Sequence, residues 1–149
     1  MFFEPSTRTR ISFGAAFNLL GGAVREIIGI ESSSLVKGES LIDTAKVLSG
    51  YSDIIVMRHA EEGSVEAFSQ ASRVPVINAG DGSNEHPSQA LLDLYTIKKE
   101  LNINKKNIDG LGIALIGDLK FGRAVHSLCK VLCLYKDVTI NLISPQELK

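Results

Sequence analysis

Short apolar segments rich in valine and isoleucine alternate with longer segments of helical periodicity, and this alternation constrains the fold more than any other feature. Uniformly apolar strands are typical of parallel sheets buried beneath helices. The predicted strands are a stub at residues 2–3 and residues 24–30, 53–57, 74–78, 112–116 and 138–143. The predicted helices are residues 6–20, 41–51, 64–72, 86–101 and 121–134. The pattern therefore predicts an α/β fold, with a parallel sheet covered by helices on both faces.

Residues 102–110 are the best candidate for a linker, because they combine three asparagines, two lysines and a glycine. Residues 1–101 would then form a first domain, and residues 111–149 would begin a second α/β domain. Two strands and one helix are too few for a stable independent domain. We therefore expect the chain to be a fragment that is truncated at both ends.

The charge balance argues against nucleic acid and membrane partners. Sixteen basic and seventeen acidic residues give a net charge of -1, and no apolar run approaches the roughly 18–20 residues of a membrane span. Cys129 and Cys133 do not make a disulfide framework. Together with His126 they lie on one predicted helix face, but a closed metal site usually needs four ligands, so we predict no metal.

Polar clusters fall in the loops that follow the predicted strands, at the sheet edge where ligands of α/β proteins bind. In the first cluster, Ser6, Thr7, Arg8 and Thr9 open a helix, with Ser6 as its N-cap. Unpartnered N–H groups, hydroxyls and a guanidinium there favour an anion such as phosphate. The alternative is a capped helix whose arginines are solvated.

Three further clusters share this placement. Arg58 and His59 end the strand at residues 53–57, and His59 is the more ordinary surface or structural histidine. His86 opens a helix, and Gln89 follows one turn later on the same face, where the pair can hold a small polar group. Residues 117–123 form another strand-to-helix loop, in which Lys120 and Arg123 can meet a carboxylate.

These segments together resemble the aspartate carbamoyltransferase family. Residues 2–10, FFEPSTRTR, are similar to the carbamoyl-phosphate signature that this family shares with ornithine carbamoyltransferases. Residues 56–59, 86–89 and 117–123 (VMRH, HPSQ and GDLKFGR) favour the aspartate branch, because the ornithine branch usually carries cysteine in place of Ser88. The resemblance covers essentially all of the chain. The family's first helix and C-terminal half are missing.

The resemblance implies a role for each site residue. Ser6, Thr7, Arg8 and Thr9 would bind the phosphate. Arg58 would contact phosphate and the carbamoyl oxygen, which Thr9 and His86 would also contact. Gln89 would hold the carbamoyl amine, and Arg123 would bind a carboxylate of L-aspartate. Ser33 and Lys37, in a loop resembling the family's mobile loop, would enter the site of a neighbouring subunit in a homotrimer of catalytic chains, with which regulatory chains can associate.

The implied reaction carries a carbamoyl group from carbamoyl phosphate to L-aspartate, a step of cytoplasmic pyrimidine biosynthesis. Carbamoyl phosphate is already activated, so we expect no cofactor and no protein nucleophile. Positioning and oxyanion stabilisation by Arg58, Thr9 and His86, assisted by Lys37, would be enough. Two alternatives stay open: transfer to another amino-acid acceptor, or a non-catalytic phosphate-binding fragment. We expect the 149-residue chain alone to be inactive.

Overall fold

A computed structural model describes residues 1–27, 38–103 and 106–149, apart from the side chain of Ile103. The described chain packs as two compact units, Met1–Gly82 and Ser83–Lys149, and each has its own hydrophobic core. Parallel strand pairs with helices between them form both units, so the predicted α/β class is confirmed.

A two-stranded parallel sheet forms the centre of the first unit. Its elements are α1 (Thr7–Leu19), α2 (Leu41–Leu48), β1 (Ile55–His59), α3 (Ser64–Ala71) and β2 (Val76–Asp81). Strand β1 pairs with β2 from Ile55 opposite Val76, and the register shifts before His59 meets Asp81. Phe2 adds a parallel bridge to Arg58, as expected of the predicted strand stub.

The core of the first unit lies between the sheet and helices α2 and α3. Its buried members are Ala45, Ile55, Met57, Val65 and Phe68. Helix α2 begins at an N-cap, Ser40, whose hydroxyl accepts the Asp43 N–H at 3.1 Å. Helix α1 has no buried residue, and Leu20, predicted to share its apolar stripe, is 86% exposed.

The second unit repeats the plan with a longer first helix. Its elements are α4 (Pro87–Ile103), β3 (Gly112–Ile116), α5 (Arg123–Leu132), β4 (Thr139–Ile143) and a 3-10 turn at Gln146–Leu148. Strands β3 and β4 pair in parallel along all five residues. The core includes Ala90 of α4 and Leu128 and Leu132 of α5, so these two helices pack against each other.

The observed elements lie close to the predicted ones, with one difference. Residues 24–27 are not in a strand, and the rest of the strand predicted at residues 24–30 lies outside the described residues. The two compact units divide after Gly82, and the linker at residues 102–110 stays a prediction. The division precedes α4 because this helix, through Ala90, shares a core with α5.

Candidate active site

Residues 6–9 stand at the start of α1, as predicted. Ser6 occupies the N-cap position, and its carbonyl accepts the Arg10 N–H at 3.2 Å. Ser6 is therefore the N-cap, as predicted, although within the described residues its hydroxyl makes no capping hydrogen bond; the backbone there (φ -155°, ψ 81°) departs from the extended conformation of the capping residue Ser40. The first turn contains no acidic residue, and Thr7 and Arg8 are exposed. This helix end therefore offers N–H groups and hydroxyls to an anion.

Arg58 lies next to this helix end because the first residues of the chain run alongside β1. The Phe3 N–H donates to the Arg58 carbonyl at 2.9 Å, and the Arg58 N–H donates to the Met1 carbonyl at 3.0 Å. The Glu4 carboxylate accepts a hydrogen bond from Nε of Arg58. Since Pro5 alone separates Glu4 from Ser6, the structure brings the α1 N-terminus and Arg58 to one edge of the first unit.

The Glu4–Arg58 ion pair is largely shielded from solvent, with the two side chains 23% and 12% exposed. Nη1 of Arg58 also lies 3.5 Å from the Ala79 carbonyl. Both contacts hold the guanidinium at the end of β1. The sequence motif contains Glu4, but its pairing with a residue 54 positions away leaves no local signal.

His59 makes contacts within the protein, as expected of a structural histidine rather than a ligand-binding one. Its ring lies 4.8 Å from the Phe3 ring, centroid to centroid, at an interplanar angle of 54°. Nδ1 accepts the Glu61 N–H at 3.0 Å. These contacts fix the turn after β1, so we assign His59 no ligand.

In the second unit, His86 lies immediately before α4 and is only 9% exposed. Its carbonyl accepts N–H groups of Gln89 and Ala90, at 3.1 and 3.2 Å, and so begins the helix. Nδ1 lies 3.3 Å from the Ser88 hydroxyl. When that hydroxyl donates to Nδ1, the proton of a neutral ring resides on Nε2, which can then donate to an oxygen.

Gln89 is held one turn into α4, as the spacing from His86 predicted. Its amide nitrogen donates to the Asp93 carboxylate at 3.0 Å. Because a carboxylate only accepts, the amide atom of Gln89 that lies next to Asp93 is the nitrogen. The amide oxygen of Gln89 is then the atom that can accept an N–H from a ligand. The half-buried side chain therefore suits an amine rather than a carbonyl.

Arg123 is the first residue of α5 and follows a closely hydrogen-bonded loop. The Asp118 carboxylate accepts the N–H groups of Lys120 and Phe121, at 3.1 and 2.9 Å. A Cβ on Gly122 would collide with the Asp118 carbonyl oxygen, so the turn requires glycine there. The loop thereby fixes where Arg123 begins the helix. Nζ of Lys120 lies 5.4 Å from the centroid of the Phe121 ring.

Two predicted site residues, Ser33 and Lys37, lie outside the described residues. Sequence reasoning also missed a cluster beside His86, made of Glu85, Ser127 and Lys130. Burial of Glu85 opposes its ionisation, but hydrogen bonds from Lys130 and Ser127 hold the pKa of this carboxyl below its ordinary value. These contacts span more than 40 positions, and no motif joins them.

Comparison with known families agrees with this arrangement. Residues 1–99 match the family model described as aspartate/ornithine carbamoyltransferase, carbamoyl-P binding domain. The chain belongs to the aspartate/ornithine carbamoyltransferase family. The resemblance seen in the sequence motifs is therefore confirmed at the family level.

Relatives within the family are similar along the whole chain. The aspartate carbamoyltransferase catalytic subunit of Cellvibrio japonicus is 72% identical over 148 residues, and that of Methanococcus vannielii is 61% identical over 149 residues. The chain spans 44% and 48% of these two proteins, which is less than half of each.

Solved structures show the same architecture. Aspartate transcarbamoylase from Trypanosoma cruzi, in complex with carbamoyl phosphate and aspartate, matches with a TM-score of 0.90 at 47% identity. The match covers 99% of this chain and 48% of that one. The catalytic subunit of the M. jannaschii enzyme matches with a TM-score of 0.88 at 56% identity, over 99% of this chain and 47% of that one.

Among the described residues, no helix is long and apolar enough to cross a membrane. In the same part of the chain, no three His, Cys, Asp or Glu side chains are grouped so that they could hold a metal ion. Burial, with the neighbouring Cys133 thiol, raises the pKa of Cys129.

Proposed function

We propose that the protein containing this chain transfers the carbamoyl group of carbamoyl phosphate to the amino group of L-aspartate. The products are N-carbamoyl-L-aspartate and phosphate. The observation that carries the proposal is the helix end at residues 6–9 beside Arg58 at the end of β1. The relatives named as aspartate carbamoyltransferases, and the T. cruzi structure with carbamoyl aspartate and phosphate, support the choice of acceptor.

The phosphate of the substrate is bound at the start of α1. The helix N-terminus carries a partial positive charge and exposes its first N–H groups. Ser6, Thr7 and Thr9 add hydroxyl donors, and the Arg8 guanidinium can bind two phosphate oxygens at once. Residues 1–101 thus supply the carbamoyl-phosphate domain, and residues 111–149 begin the aspartate domain after a connection at 102–110.

Arg58 links the two halves of carbamoyl phosphate. Its Nε is engaged by Glu4 and its Nη1 by the Ala79 carbonyl, and its remaining guanidinium N–H groups can donate to the substrate. From there it contacts both a phosphate oxygen and the carbamoyl oxygen. Thr9 and His86 are the other donors to the carbamoyl oxygen, and the Gln89 amide oxygen accepts an N–H of the carbamoyl amine.

The chemical step needs no protein nucleophile. The neutral amine of aspartate attacks the carbamoyl carbon, and a C–N bond forms as negative charge develops on the carbamoyl oxygen. Arg58, Thr9 and His86 stabilise that charge. This electrostatic stabilisation supplies most of the rate enhancement. The C–O bond to phosphate then breaks, and the departing phosphate accepts the proton of the amine.

Arg123 binds one carboxylate of aspartate, and further contacts come from parts of the protein beyond this chain. Ser33 and Lys37 are assigned to the site of a neighbouring subunit, so the active enzyme is a homotrimer of catalytic chains, with or without regulatory chains. We place it in the cytoplasm, in pyrimidine biosynthesis. The 149-residue chain alone is expected to be inactive.

The test is a carbamoyl-transfer assay on the full-length protein with L-aspartate and L-ornithine in parallel. We expect carbamoyl-aspartate from the first acceptor and no citrulline from the second. His59→Gln, which alters a histidine outside the proposed site, serves as the control and should keep the rate. Transfer to ornithine alone would overturn the acceptor, and binding of carbamoyl phosphate without transfer to either would overturn the enzymatic assignment.

A further inference from the structure

Two cysteines of α5 have no place in the proposed mechanism. Cys129 lies in the last turns of the helix, and Cys133 is its C-cap residue. The Cys133 backbone is still helical, at φ -64° and ψ -11°, and its N–H donates to the Cys129 carbonyl at 3.1 Å. The two residues therefore keep the i, i+4 relation of a regular helix, in which the Cβ atoms lie about 5–6 Å apart on one face.

Both thiols are free, and they differ in exposure. Cys133 is exposed, whereas Cys129 is half-buried and packs against the core of the second unit. The two thiols lie close enough to influence each other, because burial and then the neighbouring Cys133 thiol raise the pKa of Cys129. Cys133 is thus the thiol that a reagent reaches first, and Cys129 is the neighbour that can supply a second bond.

The spacing of the pair does not suit a disulfide. A disulfide brings the two Cβ atoms to about 3.5–4.5 Å, which is shorter than the separation of about 5–6 Å in a helical pair. Closing the gap would distort the last turn of α5, in which Leu132 is fully buried in the core. An atom inserted between the two sulfurs lengthens the bridge and removes this conflict. The pair therefore suits chelation of a soft atom rather than oxidation.

The ligand must be one that two thiols can satisfy, because the described residues supply no third protein ligand. His126 lies one turn before Cys129, but its Nδ1 is 3.3 Å from the Asn84 carbonyl and its Nε2 is 2.8 Å from the Leu119 carbonyl. In the part of the chain that the structure describes, no three His, Cys, Asp or Glu side chains are grouped around a metal position. Zinc, which takes three or four protein ligands, does not fit this pair.

We propose that Cys129 and Cys133 form a chelating site for trivalent arsenicals that carry one organic group. Such an arsenic atom keeps its bond to carbon and forms one As–S bond to each cysteine. With an arsine oxide, R–As=O, both thiols give up their protons, the As=O bond breaks, and one water molecule leaves. Arsenic stays trivalent and neither sulfur is oxidised, so the step needs no oxidant or reductant. The site is independent of the carbamoyl transfer proposed above.

The probe is phenylarsine oxide, added to the reduced full-length protein in its native state. The sequence offers a direct measurement, because Lys130 lies between the two cysteines and trypsin cleaves after lysine and arginine. Cys129 is then in the peptide of residues 124–130, and Cys133 is in the peptide of residues 131–136. We expect mass spectrometry to show these two peptides joined by one phenylarsenic group. The link should resist excess 2-mercaptoethanol and be lost when a dithiol is added.

Three variants test whether the site requires two thiols on one helix face. Cys129→Ser and Cys133→Ser each leave one thiol and should bind the arsenical at least about a hundredfold more weakly, since a second linked contact raises affinity by about 10²–10⁴. The matched control, Cys133→Ser combined with Leu134→Cys, keeps two thiols but moves one of them by a single position, to a side chain that is 82% exposed. This control should bind as weakly as the single variants, because residues i and i+5 do not face each other.

Several results would overturn the proposal. An arsenical held by one of the two peptides alone, or joined to a cysteine elsewhere in the protein, would reject the site. Binding that appears only after unfolding would also reject it, because the native protein would then not admit the ligand. Equal affinity in the wild type and the matched control would show that helical spacing does not select the ligand. With the oxidant diamide we expect no disulfide between the two peptides, and its formation would refute the argument from the Cβ spacing.

Discussion

Replacement of Arg58 by alanine should weaken phosphate binding in two ways. The guanidinium is 12% exposed and lies beside the helix end proposed to hold the anion. Its removal takes away one charged ligand and also removes the positive charge that pairs with the Glu4 carboxylate, which is 23% exposed. Truncating one member of a buried charge pair costs about 2–5 kcal/mol, which corresponds to roughly 30- to 4,000-fold in affinity.

A second substitution separates the two contributions. In Arg58→Ala combined with Glu4→Gln, the repulsion between the carboxylate and the anion is gone, but the lost attraction is not restored. Unit charges about 4 Å apart interact by about 1 kcal/mol in water and by more near a protein surface. The double variant should therefore recover at least about fivefold of the lost affinity.

The assay is calorimetric titration of the full-length protein with inorganic phosphate. Arg73→Gln is a suitable control, because this exposed arginine donates to the Lys46 carbonyl and has no place in the proposed site. Thermal unfolding of every variant confirms that it folds. Unchanged phosphate affinity in folded Arg58→Ala would refute the reasoning, as would a double variant that binds no better than the single one.

Four further outcomes are expected. His86→Ala should lower turnover of the full-length enzyme by about 10²–10³-fold, the scale for one oxyanion donor, with a smaller effect on carbamoyl-phosphate affinity; weaker binding with normal turnover would contradict this. Phe68→Ala, at a fully buried core position, should lower the free energy of unfolding by about 3–5 kcal/mol in a urea titration, and a loss well below this range would argue against the core assignment. Because the pKa of Glu85 is lowered on folding, its stabilisation is complete above the ordinary value of 4.5 and is lost as pH falls through the folded pKa. Urea titrations across that range should show a steeper acid loss in the wild type than in Glu85→Gln, and parallel curves would exclude the ion pair as the cause. The 149-residue chain alone should form no detectable carbamoyl-aspartate, and turnover near that of an intact relative would show that residues beyond it are dispensable.

Local pattern was enough to place most elements. Strand β3 was predicted with the bounds Gly112–Ile116 that the structure shows, because an apolar run between two glycines leaves little choice. Helix α2 ends at Leu48, three residues earlier than its periodicity suggested. Residues 24–27 had the composition of a strand, but a strand also needs a neighbour for its backbone groups, and sequence alone does not reveal one.

The boundary between the two compact units, after Gly82, had no signal in the sequence, because packing rather than polarity decides it. Helix α4 joins the core of the second unit and continues to Ile103, and the linker at residues 102–110 stays a prediction. At the candidate site, the motifs located Arg58, His86 and Gln89 correctly on their elements. The partners that orient them, Glu4, Ser127 and Asp93, were not predicted, because each contact depends on the fold rather than on a motif.

The pairing of Phe2 and Phe3 with Arg58 has a consequence for the order in which the protein forms during synthesis. Glu4 and Arg58 are 54 positions apart, so the helix end at residues 6–9 lacks the Arg58 guanidinium until β1 has left the ribosome and docked. Contacts of such long range carry the loop-closure cost that slows folding. The proposed phosphate-binding helix end is thus synthesised well before the arginine that completes it, and an anion that binds only after this docking would slow unfolding rather than speed folding.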